Sequence, residues 1–270
     1  MKKENRKTFL EVAVKAAKAA GEIQRKGFGK KHKIEFKGEI NLVTEVDKAS
    51  EKKIVQIISK AFPHHDFLTE ESGAHNKMSD YQWIVDPLDG TTNYAHAFPS
   101  FCVSIGLTYQ NKVIVGVVYN PISKELFTGI KGQGAWLNGK KIKVSPIKEL
   151  NRSLLGTGFA YNVQVVDNNN LNHLSNFIKR AQGIRRMGAA ALDICFVACG
   201  RLEGFWEMEL WPWDIAAACV ILEEAGGQTS LFDGRPLDLH GKQIIASNGG
   251  VHRAMIEVIQ QGIKNFGKQS

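Results

Sequence analysis

Apolar residues recur every three or four positions from Phe9 through Val12, Ala13, Ala16 and Ala20 to Ile23, so residues 5–27 read as an amphipathic helix closed by Gly27. A second helix is expected over 45–61, with Ile54, Val55, Ile57, Ile58 and Phe62 turned inward. Pro63 ends it, because proline has no amide hydrogen to extend the ladder. Beyond residue 80 the period changes. Trp83-Ile84-Val85 is a short buried run, Val103 to Tyr109 alternates, and Val113 to Tyr119 is β-branched and aromatic. Gln110-Asn111-Lys112 joins the last two as a hairpin, and Asn138-Gly139 signals a second turn of the type I′ kind. In the C-terminal half a strand is expected near 153–159, helices near 171–182 and 189–199, and a strand near 203–208. A helix from Asp214 to Ala225 follows, ended by Gly226-Gly227, then a strand at Gln243–Ser247 and a last helix over 251–264. Helices and strands mix without a regular βαβ period. The chain therefore reads as an α+β or layered sandwich, a single domain of two lobes around one cleft with a boundary near residue 150.

Composition narrows this only a little. With 270 residues, 43% hydrophobic and 23% charged, the chain has ample material for a core and excludes disorder, collagen and coiled-coil arrays. No apolar run approaches the roughly 20 residues that span a bilayer. Lysines interrupt the N-terminal apolar stretch where a secretory signal would be continuous. Four cysteines, Cys102, Cys195, Cys199 and Cys219, do not make a disulfide framework. A cytoplasmic protein without a membrane partner is expected. The net charge is +8, and residues 1–53 hold fifteen Lys/Arg against eight Asp/Glu, so nearly all the excess lies in the first fifth. Such a face suits a polyanion, nucleic acid included, yet no nucleic-acid-binding signature accompanies it. A lysine-rich solvent face is the simpler account.

The segment Trp83 to Tyr94 changes the picture most. A buried strand delivers Asp86 at its end, Pro87 stiffens the exit, Asp89 follows, and Gly90 lets the backbone approach a ligand. Thr91 and Thr92 then open a helix whose free amides face an anion. Two carboxylates, the Leu88 carbonyl between them and an N–H nest beside them suit a hard cation next to a phosphate. A capping aspartate and a turn glycine would explain Asp89, but neither Asp86 nor the run Gly90-Thr91-Thr92. Phosphatases of the haloacid dehalogenase type carry a similar Asp-x-Asp-Gly-Thr loop, whose nucleophilic aspartate lies two places before the second one. Pro87 occupies that place, which excludes an aspartyl-phosphate at this loop. Two further segments add carboxylates. Glu70-Glu71 follows the short apolar strand around Phe67-Leu68, and alone reads as a solvated turn. Asp214 starts a helix behind Trp211 and Trp213, as an N-cap or as a ligand.

Together these segments, Leu68 to Ser72, Asp86 to Tyr94 and Trp213 to Ala217, resemble the inositol monophosphatase family of magnesium-dependent, lithium-sensitive phosphatases. Flanking matches at Asn41 to Asp47 and Gly188 to Asp193 extend the resemblance over nearly the whole chain. It implies a layered αβαβα sandwich, a homodimer and a Mg²⁺ cofactor. It implies a first metal held by Glu70, Asp86 and the Leu88 carbonyl, and a second by Asp86, Asp89 and Asp214. A third, weaker Mg²⁺ would share Glu70. Glu70 and Thr91 would position the attacking water, with Asp47 orienting Thr91 while also serving a capping box at Thr44. The phosphate and alcohol would lie against Leu88, Asp89, Gly90, Thr91, Ala190, Glu207 and Asp214. Glu207 sits in an apolar strand, where it either meets substrate or pairs with Arg185 or Arg186. Thr91 to Tyr94 is similar to the inositol phosphatase branch, so the implied reaction is hydrolysis of myo-inositol 1-phosphate by direct attack of water. The alternatives are a broader sugar or nucleotide phosphatase acting on fructose 1,6-bisphosphate, and a regulatory role on RNA through the basic N-terminal region. Cys195 and Cys199 read as core residues, and His64-His65 as a loop without a catalytic part.

Overall fold

The computed structural model describes residues 6–30, 34–36, 42–161, 163–167 and 169–266. Residue 5 of the expected first helix, Asn41 and part of the basic N-terminal segment lie outside these. Helix α1 (Arg6–Gly27) leads to a ribbon of β1 (Ile34–Phe36) and β2 (Leu42–Thr44), then α2 (Glu45–Ala61). Eight strands follow: β3 (Asp66–Thr69), β4 (Gly73–His75), β5 (Tyr81–Asp89), β6 (Cys102–Tyr109), β7 (Lys112–Asn120), β8 (Glu125–Ile130), β9 (Gly134–Leu137) and β10 (Lys140–Lys141). They form one sheet in the order β10-β9-β8-β7-β6-β5-β3-β4, in which only β3 and β5 run parallel. The short helix α3 (Thr91–Ala95) leaves the end of β5. The rest of the chain gives β11 (Leu154–Thr157), α4 (Leu171–Ile178), β12 (Gly183–Arg185), α5 (Ala190–Ala198), β13 (Gly204–Met208), α6 (Pro212–Glu224), β14 (Gln228–Ser230), β15 (Gln243–Ser247) and α7 (His252–Phe266). Its strands order as β12-β11-β13-β15-β14.

Three apolar clusters stack these parts into five layers. Helices α1 and α2 cover one face of the large sheet through Phe9, Ala13, Ala17, Ile54 and Ile58 on Trp83, Val103 and Val115. Helices α5 and α6 lie between the sheets, and α4 and α7 close the outer face of the small sheet. This is the αβαβα sandwich that the resemblance implied. The period of two on β13 decides where its side chains go: Phe205 joins the core between the sheets, Trp206 joins the outer one, and Glu207 returns to the inner side. Among the described residues no helix is long and apolar enough to cross a membrane.

One packing device brings the site together. Gly106, Gly116 and Gly129 pair side by side across β6, β7 and β8. Helix α6 lies directly on this glycine row. A Cβ on Gly116 would overlap the Ala217 carbonyl oxygen, and one on Gly129 would stand 2.9 Å from Ile221 Cα. The start of α6 is then tied to β6 by Ser104, whose hydroxyl donates to the Trp213 carbonyl (3.2 Å).

Several expectations need correction. The span 45–61 holds for α2, but α4 stops at Ile178, and 183–185 pairs beside β11 as β12 rather than prolonging a helix to 182. β8 and β9 were not expected. β5 does not end at Asp86 but continues to Asp89 through a bulge. α6 begins at Pro212, so Asp214 is its third residue and not its N-cap.

Candidate active site

The bulge in β5 is the first determinant of the site. Asp86 pairs with Ser104 and Asp89 with Cys102, so β5 carries one residue more than β6 across this interval. In a regular strand residues three apart point to opposite faces; the extra residue turns both carboxylates toward one cleft. Pro87, which has no amide hydrogen to lose, sits inside the irregularity. Each aspartate is then fixed by a backbone amide. Leu88 N donates to Asp86 Oδ1 (2.8 Å), Ala191 N at the start of α5 donates to Asp89 Oδ2 (2.8 Å), and Trp211 N donates to Asp214 Oδ2 (2.7 Å). Cys102 Sγ also lies 3.6 Å from Asp89 Oδ2. Glu70 is placed by its amide, which donates to the Val85 carbonyl on β5 (3.1 Å). Its neighbour Glu71 is drawn to α2 instead, its amide donating to Glu51 Oε2 (2.9 Å).

These carboxylates are crowded; Asp86 and Asp89 are buried, and Glu70 and Asp214 are half-buried. Burial, then the charges of Glu70, Asp89 and Asp214, hold the Asp86 carboxyl well above the usual range. Burial pushes Asp89 up to about 7 against the opposing pull of the Ala191 amide. Burial raises Asp214 as well, with the charges of Asp89 and Glu70 adding to it. Among the described residues lining the cleft, the one cation is Arg186. Like charges packed this way call for a cation, and three aspartates, a glutamate and the Leu88 carbonyl are hard oxygen donors that fit a divalent metal ion. Among the described residues no three of these side chains already close on one point as a finished ligand shell.

Beside them Gly90 takes φ +93° at the N-cap of α3, and a Cβ there would meet the Ser100 carbonyl oxygen at 2.9 Å. Only glycine suits this turn. Thr91 Oγ1 lies 3.0 Å from both Asp47 Oδ1 and the Leu88 carbonyl oxygen, and its single proton serves one of them at a time. Asp47 is fully buried. Its Oδ2 accepts from the Thr44 amide (2.8 Å) and hydroxyl (2.6 Å), so the capping role and the contact with Thr91 coexist, one oxygen each. Asn93 donates to the Ser100 and Met187 carbonyls (2.6 and 2.7 Å), joining α3 to the entry of α5.

The cleft measures about 520 Å³. Every residue given a metal, catalytic or substrate role by the resemblance lines it except Asp47, which stands behind Thr91. Glu207 enters from β13, with its carboxylate resting on Gly158, where any Cβ would overlap it. Neither Arg185 nor Arg186 forms an ion pair with it among the described residues. Burial holds its carboxyl well above the usual range, with Asp193, Asp214 and Asp89 adding to the shift. Ala190 lines the floor at the start of α5. Sequence reasoning missed Tyr161, which lines the cleft while nearly half exposed, and gave no part in it to Trp211, which stacks on Trp213 at 5.3 Å. Arg186 was weighed only as a partner for Glu207. Cys195 is buried and free, and His65 accepts a hydrogen bond from Trp83 Nε1 (3.1 Å) in an aromatic stack.

Known proteins resemble the chain along nearly all its length. The model of the inositol monophosphatase family matches residues 5–264. Inositol monophosphatase 3 of Solanum lycopersicum is 46% identical over 259 residues, covering 94% of this chain and 97% of that protein. The fructose-1,6-bisphosphatase/inositol-1-monophosphatase of Aquifex aeolicus is 43% identical over 260 residues, covering 96% and 97%. The structure of inositol monophosphatase from Anabaena (Nostoc) superposes with a TM-score of 0.88 at 44% identity, covering 95% of this chain and 97% of that one.

Proposed function

This chain belongs to the inositol monophosphatase family, a family of phosphoric monoester hydrolases, and from that premise we propose that it hydrolyses small phosphomonoesters, myo-inositol 1-phosphate first, with Mg²⁺ as cofactor. The observation that carries the reading is the set of buried aspartates turned by the β5 bulge toward one cleft, beside the Gly90 turn that opens α3.

Glu70, Asp86 and the Leu88 carbonyl would hold one cation, and Asp86, Asp89 and Asp214 a second, with Glu70 shared by a weaker third. When bound, the cations neutralise the cluster, polarise the phosphoryl group and acidify water. The chain does the rest. The amides of Gly90, Thr91 and Thr92 would donate hydrogen bonds to the phosphate oxygens. If the Thr91 hydroxyl donates to Asp47, its oxygen is left as an acceptor, and with Glu70 it orients the attacking water by accepting hydrogen bonds from it, one proton passing to the Glu70 carboxylate as the water attacks. Pro87 stands where the haloacid dehalogenase loop has its nucleophilic aspartate, which favours a single displacement by water. Asp214 would lie by the leaving oxygen, and Glu207 and Ala190, which line the same cleft, would face the substrate hydroxyls. The direct test is phosphate release from a panel of phosphomonoesters with Mg²⁺ present or chelated. Release from inositol monophosphate that is abolished by chelation is expected; release indifferent to chelation would sink the metal reading.

Glu207→Gln tests the alcohol side. Handling of inositol or sugar phosphates should weaken by about 1–3 kcal/mol, the usual range for a hydrogen bond to a charged group. That is about tenfold to a hundredfold in kcat/KM relative to an aryl phosphate, which has no hydroxyls to offer. Equal losses on both substrates would make Glu207 structural.

A second reading, a broader phosphatase that also takes fructose 1,6-bisphosphate, is favoured by Arg186, the cation of the cleft, and by the two activities in the name of the Aquifex relative. The same panel separates the two readings. We also take the protein to be a homodimer, on the family resemblance, and cytoplasmic, on its four free cysteines.

A further inference from the structure

The inward face of α1 is made of small and apolar residues, Phe9, Ala13, Ala16, Ala17, Ala20 and Gly21, with one exception. Gln24 lies on the same face, four residues after Ala20, and is fully buried. Its Nε2 donates to the Pro87 carbonyl (2.6 Å), while its Oε1 is buried without any partner. The amide cannot be turned the other way, because its oxygen would then face the Pro87 oxygen. A buried amide with one unmet acceptor is a poorer choice for stability than a leucine or methionine of similar size. What it provides is the hydrogen bond to Pro87.

That bond acts on a single peptide unit. The carbonyl of the Pro87–Leu88 peptide points back to Gln24, and the amide of the same unit points forward to Asp86 Oδ1 (2.8 Å). A peptide plane held at both ends cannot rotate without breaking both bonds. The next carbonyl along, that of Leu88, faces Thr91 Oγ1 (3.0 Å). Gln24 is also tied to α3, since its own backbone carbonyl accepts from the Tyr94 hydroxyl (2.8 Å). One side chain of the outer helix layer thus reaches through to the loop that sets the orientation of Asp86.

We propose that Gln24 is a positioning residue for the acidic cluster, fixing the Pro87–Leu88 peptide so that the Asp86 carboxylate and the Leu88 carbonyl are presented to a divalent cation. The inference rests on the metal reading above, and its test separates the two. Mn²⁺ is titrated calorimetrically into metal-free wild type, Gln24→Leu, Gln24→Met and Asp86→Asn, and thermal melting and hydrogen exchange of residues 86–92 are followed in each. Mn²⁺ affinity should fall about 10–100-fold in both Gln24 variants, the usual effect of losing a group that orients a metal ligand. Exchange at the Leu88 amide should quicken, while Tm changes little, because the unmet Gln24 oxygen is removed as the Pro87 carbonyl loses its donor. A lowered Tm with unchanged Mn²⁺ affinity in either variant would make Gln24 structural only and overturn the proposal; if leucine is not accommodated, the flexible methionine carries the comparison. Mn²⁺ binding lost in Asp86→Asn but intact in Gln24→Leu overturns the positioning role alone. Binding intact in both overturns the metal reading beneath it.

Discussion

Asp86→Asn is expected to lower kcat by about three orders of magnitude or more, while the metal-free protein melts at or above the wild-type temperature. The first part follows from the assignment of Asp86 to both principal cations: a loss of several kcal/mol of charge stabilisation in the transition state is about a thousandfold in rate. The second follows from the surroundings of the carboxyl. It is buried against Glu70, Asp89 and Asp214, so its charge is opposed by the fold and not supported by it. Asparagine keeps the shape and keeps an oxygen to accept from the Leu88 amide. Loss of activity together with loss of folding would assign Asp86 to structure. Turnover near that of the wild type would remove it from the metal site altogether. The opposite movement of activity and stability marks a residue kept for chemistry.

Much of this site was readable before any coordinates, and the reason is chemical. Asp86 beside a Gly-Thr-Thr turn has no ordinary structural explanation, while Asp214 joined Asp86 and Asp89 only through the family resemblance, and the cleft contains all three. The capping box at Thr44 and Asp47 was also legible, because its three-residue spacing is local and its geometry is fixed by the helix it starts. Less legible was how Asp86 and Asp89 come to share a face. A strand ending at Asp86 was the natural reading, since proline disfavours a ladder; only pairing with Ser104 and Cys102 reveals the bulge.

The strands β8 and β9 escaped for a related reason. Gly129 and Gly134 lower the local preference for a strand, and Gly106 and Gly116 dilute β6 and β7 in the same way. Yet the row of Gly106, Gly116 and Gly129 is what lets α6 descend on the sheet and bring Asp214 to the cleft. Their value is long-range packing, which no window of sequence contains. Gln24 is hidden similarly. Spacing puts it on the inward face of α1, but its use appears only when a loop 63 residues away arrives beside it.

The second large effect should arise at Thr91. Thr91→Val keeps the shape and removes the hydroxyl, and kcat should fall by about 10²–10⁴, the range for losing a group that orients a proton transfer. Thr91→Ser should retain most of the activity. Asp47→Asn is the informative partner, because Asp47 reaches the chemistry only through Thr91 Oγ1, while its other oxygen caps α2 through the Thr44 amide and hydroxyl. The asparagine should therefore do two separable things. It should weaken the helix start by about 0.5–2 kcal/mol, as cap losses do, and it should lower kcat by leaving the threonine hydroxyl less firmly directed. The cycle tells these apart. If Asp47 acts through Thr91, the double variant Thr91→Val/Asp47→Asn should have the kcat of Thr91→Val alone, while its Tm shows the additional cap loss in full. Additive losses in kcat would mean that Asp47 influences the site independently of the threonine, through the acidic cluster or through α2, and the proposed path from Thr44 to the attacking water would have to be given up.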